Sequence, residues 1–126
     1  MADFDFYTDS GLTNLVASPL SMTHAINGHS DIQIFCGGTG FTFQANSDPG
    51  NDQITVSIVG SGAQGAASIK LATTQAGLDG ATAGAALDLG TEINGSTSFW
   101  LRQTDMVGVA GQYSGMKLAV NELVYS

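Results

Sequence analysis

The run IVGSGAQGAAS, residues 58–68, decides how this chain is read. Gly60, Gly62 and Gly65 spell G-x-G-x-x-G, and the preceding QITVSIV (53–59) alternates as a strand does. A strand, this glycine spacing and then a helix would open a dinucleotide-binding unit, with backbone amides at the helix N-terminus facing a pyrophosphate. The next segment is AASIKLATTQAG (66–77), where Ile69 and Leu71 alternate and Thr73 and Thr74 favour a strand. The acidic ribose partner would have to be Asp79 or Asp88, both set among glycines and alanines. With 17 glycines in 126 residues the spacing arises easily by chance. The expectation is a glycine loop joining two antiparallel strands; a small nucleotide-binding enzyme using Gly60, Gly62 and Gly65 is the remote alternative.

Working outward, the dominant period is two. DFDFYT (3–8) pairs Phe4 with Phe6, DIQIFC (31–36) pairs Ile32 with Ile34, and GFTFQA (40–45) pairs Phe41 with Phe43. QITVSIV aligns Ile54, Val56 and Ile58, and TSFWLRQTD (97–105) sets Phe99 and Leu101 against Trp100 and Arg102. MKLAVNELVY (116–125) aligns Met116, Leu118 and Val120. Such alternation marks strands with one buried face. Between the runs stand turn clusters, among them CGGTG (36–40), NSDPGND (46–52), INGST (93–97) and DMVGVAGQYSG (105–115). AGLDGATAGAALDLG (76–90) is alanine-rich but interrupted by Gly80 and Gly84, so it reads as a loop with one helical turn leading into a strand at ALDLGTEI. The expected fold is all-β: an antiparallel sandwich, immunoglobulin-like, forming one domain. Residues 1–30 are an extended N-terminal arm with edge strands, and residues 31–126 are the sandwich body.

Composition narrows the function. Charged residues make up 11% of the chain, against about 25% in an average domain. A polar but charge-poor surface suits an assembly, because charges at a contact core are costly to desolvate. Eleven acidic residues against three basic ones leave a net charge of -8, which disfavours nucleic acid and anionic membranes as partners. The single cysteine, Cys36, allows no intrachain disulfide and reads as a small core residue in an apolar run. The N-terminus MADFDFYTDSG lacks the basic and apolar regions of a signal peptide, which leads to the expectation of synthesis in a cytoplasm.

Individual residues offer little chemistry. His24, His29 and Asp31 could approach a metal, but two loop histidines are the plainer reading. DPGND (48–52) could hold calcium weakly, yet Pro49 and Gly50 with capping Asp and Asn side chains describe an ordinary turn. The expectation is no enzyme, no cofactor and no metal. Trp100 and Arg102 share one face of a strand, a combination common at protein contacts, although Trp100 could equally anchor the core. Lys70, Arg102 and Lys117 would form a small basic patch if their strands shared a sheet.

The C-terminal half, ASIKLATTQAGLDGATAGAALDLGTEINGSTSFWLRQTD through GVAGQYSGMKLAVNELVYS, resembles small structural proteins of tailed-phage virions. The likeness lies in a strand, an Ala/Gly/Thr-rich loop, an apolar strand ending in Arg102, Thr104 and Asp105, a Val/Gly-rich loop and a final KLAVN strand. It covers roughly the last sixty residues. The resemblance implies an immunoglobulin-type sandwich acting in the virion, first as a capsid decoration protein on the outer head surface. The alternative it implies is a tail or fibre component with a carbohydrate- or receptor-binding role. It carries over no catalytic residues. The implied partners are the major capsid protein or another virion protein, and further copies in a dimer or trimer. Phe4, Phe6 and Tyr7 of the arm, then Trp100 and Arg102, are the candidate contact residues. Localisation in a virion assembled in the host cytoplasm completes the expectation.

Overall fold

The computed structural model describes residues 4–12, 20–24, 28–61, 68–104 and 111–125, with the backbone alone described at 20–24, 60–61 and 111–116. The described residues form antiparallel strands in two sheets, as the alternation requires. The strands are β1 (Asp5–Tyr7), β2 (Leu20–His24), β3 (His29–Ala45), β4 (Thr55–Ser61), β5 (Ile69–Ala72), β6 (Leu87–Asp88), β7 (Glu92–Thr104), β8 (Gly111–Val120) and β9 (Leu123–Tyr125). A 3-10 turn at Ala76–Gly80 follows β5.

The first sheet runs β1-β3-β7-β5, with β9 also paired to β3. The second runs β2-β8-β4-β6. β1 meets β3 at Phe35–Gly37 and β9 meets it at Phe43–Ala45. Both lie on the edge of β3 away from β7, so segments from the two halves of the chain line one edge. The first thirty residues contribute to both sheets, since β1 pairs with β3 and β2 with β8. The expected boundary at residue 30 falls inside β3.

The inward positions match the period-two reading. Ile34, Cys36, Ile69, Leu71, Phe99 and Leu101 of the first sheet pack with Val56 of the second, and Ile58, Leu87 and Leu118 close over them. A second cluster holds Phe43, Ile54 and Ile93, with Phe41, Val120 and Leu123 against it. Phe4 and Leu89 touch both clusters. Burying these apolar faces is the main term holding the sheets together.

Two expected turns are not turns. CGGTG lies within the continuous strand β3, and INGST lies within β7. In register they meet: Gly37 pairs with Ser96 and Thr42 with Asn94, leaving residues 38–41 opposite Gly95 alone. The glycines absorb a bulge, with φ of 139° at Gly37, 84° at Gly40 and 82° at Gly95. A Cβ on Gly37 would stand 2.1 Å from the carbonyl oxygen of Gly95, so no other residue fits there without a shift. Of DMVGVAGQYSG (105–115), residues 111–115 belong to β8 and residues 105–110 lie outside the described residues.

The strand expected at ALDLGTEI is shorter: Leu87–Asp88 pair with Val56 and Thr55, and β7 starts at Glu92. The pairing is prolonged by Ile54 N donating to Gly90 O (2.8 Å) and Leu89 N to Ile54 O (2.7 Å). Asn121 ties the end of β8 to this corner, accepting from Thr55 N (2.9 Å) and donating to Gln53 O (3.0 Å).

Candidate functional site

Of the glycine motif, the structure describes only the strand that leads into it and the segment after it. Gly60 lies in β4, while Gly62 and Gly65 fall outside the described residues. β4 belongs to the second sheet and β5 to the first, and neither pairs with the other. The segment between them therefore passes from sheet to sheet, which corrects the expected hairpin. Where a dinucleotide unit would carry its helix, Ile69–Ala72 form a strand antiparallel to β7.

The chemistry-bearing side chains gather instead on the outward face of the first sheet. Alternation along β7 turns Phe99 and Leu101 inward, both fully buried, and Trp100 and Arg102 outward. Register then sets the neighbours: Asp31, Arg102 and Lys70 make one row across β3, β7 and β5, and Gln33, Trp100 and Ala72 make the next. Phe35 stands opposite Ser98 on one side and Tyr7 on the other. Gln33 Nε2 donates to Ser98 Oγ at 3.4 Å. Tyr7, Phe35 and Trp100, all partly buried, thus lie along one sheet face.

Arg102 is the centre of this face. Its Nε and Nη2 donate to Asp31 Oδ1 and Oδ2 (2.7 and 3.1 Å), a bidentate pair, and its Nη1 donates to Asp79 Oδ1 (2.7 Å). Gln75 Nε2 adds a donor to Asp31 Oδ2 at 3.2 Å. Gln75 precedes the 3-10 turn and Asp79 lies within it, so the arginine pins that turn over the outward face, where Leu78 is fully buried. The Arg102 and Asp31 side chains are 12% and 9% exposed, whereas Asp79 is 77% exposed. The Arg102 guanidinium holds the Asp31 carboxyl below the usual carboxylate range, and the two carboxylates raise the arginine's own affinity for its proton.

The other candidates are dispersed. Phe4 and Phe6 point into the core: Phe4 meets Phe43 edge-on at 5.1 Å and Phe6 meets Phe99 at 6.1 Å. Cys36 is fully buried opposite Phe6, and burial pushes its thiol up to about 12. His24 ends β2 in the second sheet, while His29 begins β3 in the first, with Nδ1 3.3 Å from Asp31 Oδ1. Among the described residues no three His, Cys, Asp or Glu side chains converge as a metal site would need. In DPGND, Asp48 O accepts from Asn51 N and Asp52 N (both 3.0 Å), and Ser47 Oγ donates to Asp52 Oδ2 (2.6 Å). These groups close the turn on itself. Lys70 sits beside Arg102, but Lys117 is on β8 in the second sheet, so the three cations do not share a sheet.

Sequence reasoning placed Trp100 and Arg102 together but missed Asp31, Gln33, Phe35 and Asp79 as their neighbours. Alternation in DIQIFC would have put Asp31, Gln33 and Phe35 on one face. Nothing local could have said that β3 lies beside β7. No family model, curated protein or solved structure matches the chain.

Proposed function

We propose that this chain is a structural protein of a tailed-phage virion, and more specifically a capsid decoration protein that binds the outer head surface through an immunoglobulin-like sandwich. It works by adhesion: each copy makes a modest contact, and lattice symmetry multiplies many weak contacts into firm attachment. The observation that carries the reading is the outward face of the first sheet, where Trp100 stands in register with Gln33 and beside Arg102, one row from Phe35 and Tyr7. Aromatic side chains with arginine are what protein contacts favour. Arg102 is already paired with Asp31 and Asp79, so covering it does not leave its guanidinium without a partner. The charge-poor composition and the phage-like C-terminal half point the same way.

The test is co-sedimentation of tagged protein with virions from its source, followed by gold labelling under the electron microscope. Label over the head, lost in Trp100→Ala while the domain stays folded, is the expected result. Label confined to the tail would replace decoration by the fibre reading, in which the same aromatic row stacks on sugar rings. Absence of any association would overturn the virion reading.

A further inference from the structure

We propose that β1 is an exchangeable plug, and that a second copy of this chain can insert its own Phe4–Tyr7 segment into the β3 socket, joining copies by strand exchange. β1 is a strand of three residues. It pairs with three residues of β3 (Asp5 with Gly37, Phe6 with Cys36, Tyr7 with Phe35), and it seats Phe4 against Phe43 and Phe6 against Phe99. Every one of these contacts can be made by the identical segment of another copy, because every copy carries the same socket. The two arrangements then differ only in the hinge.

The hinge is where the geometry favours opening. Directly after β1 the chain folds back in a tight turn, with Leu12 N donating to Asp9 O at 3.2 Å. Leu12 has φ of 56°, and it is the one non-glycine residue with positive φ among those described. A bulky side chain in this region is strained, and an extended hinge releases that strain. Strained short hinges are known to invite swapping. Opposing it is repulsion between copies of net charge -8, which salt screens. Exchange should therefore rise with protein concentration and with ionic strength. It stands apart from the virion reading, since purified protein alone decides it.

Cys36 supplies the test. It lies directly opposite Phe6, at a spacing that paired strand positions share with disulfides. In Phe6→Cys, oxidised with diamide after refolding at high concentration, a closed chain yields only an internally bridged monomer on a non-reducing gel. An exchanged chain yields a covalent dimer if exchange is reciprocal, or a ladder if it runs head to tail. We expect linked species that increase with concentration and salt and vanish in Phe6→Cys/Cys36→Ala. Because Phe6→Cys removes a core ring, the outward pair provides a second variant, Tyr7→Cys/Phe35→Cys in a Cys36→Ala background. Internal bridging alone in the variants that fold, at every concentration, overturns the proposal.

Discussion

The two sheets of this protein are built to different standards. At the centre of the first, β3 and β7 pair from His29 opposite Thr104 to Gln44 opposite Glu92 across the bulge at residues 38–41, and their inward residues Ile34, Cys36, Phe43, Ile93, Phe99 and Leu101 are nearly or wholly shielded from solvent. In the second, Val56 is fully buried, but Ile58, Leu118 and Val120 are only partly so. Both sheets carry a bulge, so the distinction rests on burial: Val59, at the shift between Ile58 and Gly60 in β4, is 62% exposed. The difference teaches that the first sheet is the scaffold and the second a cover. The scaffold's outward face carries Tyr7, Trp100 and Arg102, while Phe4 and Phe6 pack into its core, so its rigidity is handed directly to those three outward positions.

The sharpest way to test that asymmetry is to truncate both sides. Phe99→Ala should cost about 4 kcal/mol of unfolding free energy, whereas Leu118→Ala, partly exposed at the start, should cost about 1–2 kcal/mol, both read by urea denaturation. Equal losses would break the distinction. Next in size is the bulge. Gly37→Ala forces a methyl group against the Gly95 carbonyl and should cost about 3 kcal/mol. Gly40→Ala meets nothing nearby and carries only its positive φ, so about 1 kcal/mol is expected.

The charged latch comes third. Arg102→Leu removes a bidentate pair and the anchor of the 3-10 turn, for a loss of about 2 kcal/mol at neutral pH. Asp31 is held below its ordinary value, so its contribution is complete above pH about 4 and is lost as pH falls through the lowered value. A melting profile of the native chain should therefore steepen in acid, and Arg102→Leu should flatten that slope. Parallel acid profiles in the two proteins would show that the latch contributes nothing to stability.

Smaller effects probe the interior and the cover. Gln103 faces inward, fully buried, with neither end of its amide hydrogen-bonded among the described residues. Gln103→Leu should raise stability by about 1 kcal/mol, since an unsatisfied buried amide costs that much or more. Val59→Thr, on the exposed bulge of the second sheet, should change the melting temperature hardly at all, within about 0.5 kcal/mol.

Most strands were legible because alternation is written locally. DIQIFC, GFTFQA, QITVSIV, SIKLAT and TSFWLRQTD all turn the expected residues inward, with Ile34, Phe43, Ile54, Val56, Ile69, Leu71, Phe99 and Leu101 buried and Ile32, Phe41 and Ile58 partly so. The glycine clusters were where reading failed. CGGTG and INGST each looked like a chain reversal, since a glycine that bends a strand cannot be told in one dimension from a glycine that ends it. They became a bulge because they face one another: Gly37 of the first pairs with Ser96 of the second, and just beyond it Thr42 Oγ1 donates to Asn94 Oδ1 across a separation of 52 positions. The same limit hid the sheet-to-sheet passage after β4, which depends on which strand each neighbour pairs with.

The amino-acid order alone determined that the described residues form antiparallel strands, which apolar side chains of β3, β4, β5 and β7 turn inward, and that Trp100 and Arg102 share one face of theirs. Those properties follow from the two-residue period of extended backbone and from the transfer of apolar faces out of water. Only the tertiary structure decided that Asp31 and Asp79, 71 and 23 positions from Arg102, would close on it, and that Phe6 would lie opposite Cys36. Strand order and register are set by contacts between distant segments, where many pairings satisfy the same local pattern and the best-packed core selects one.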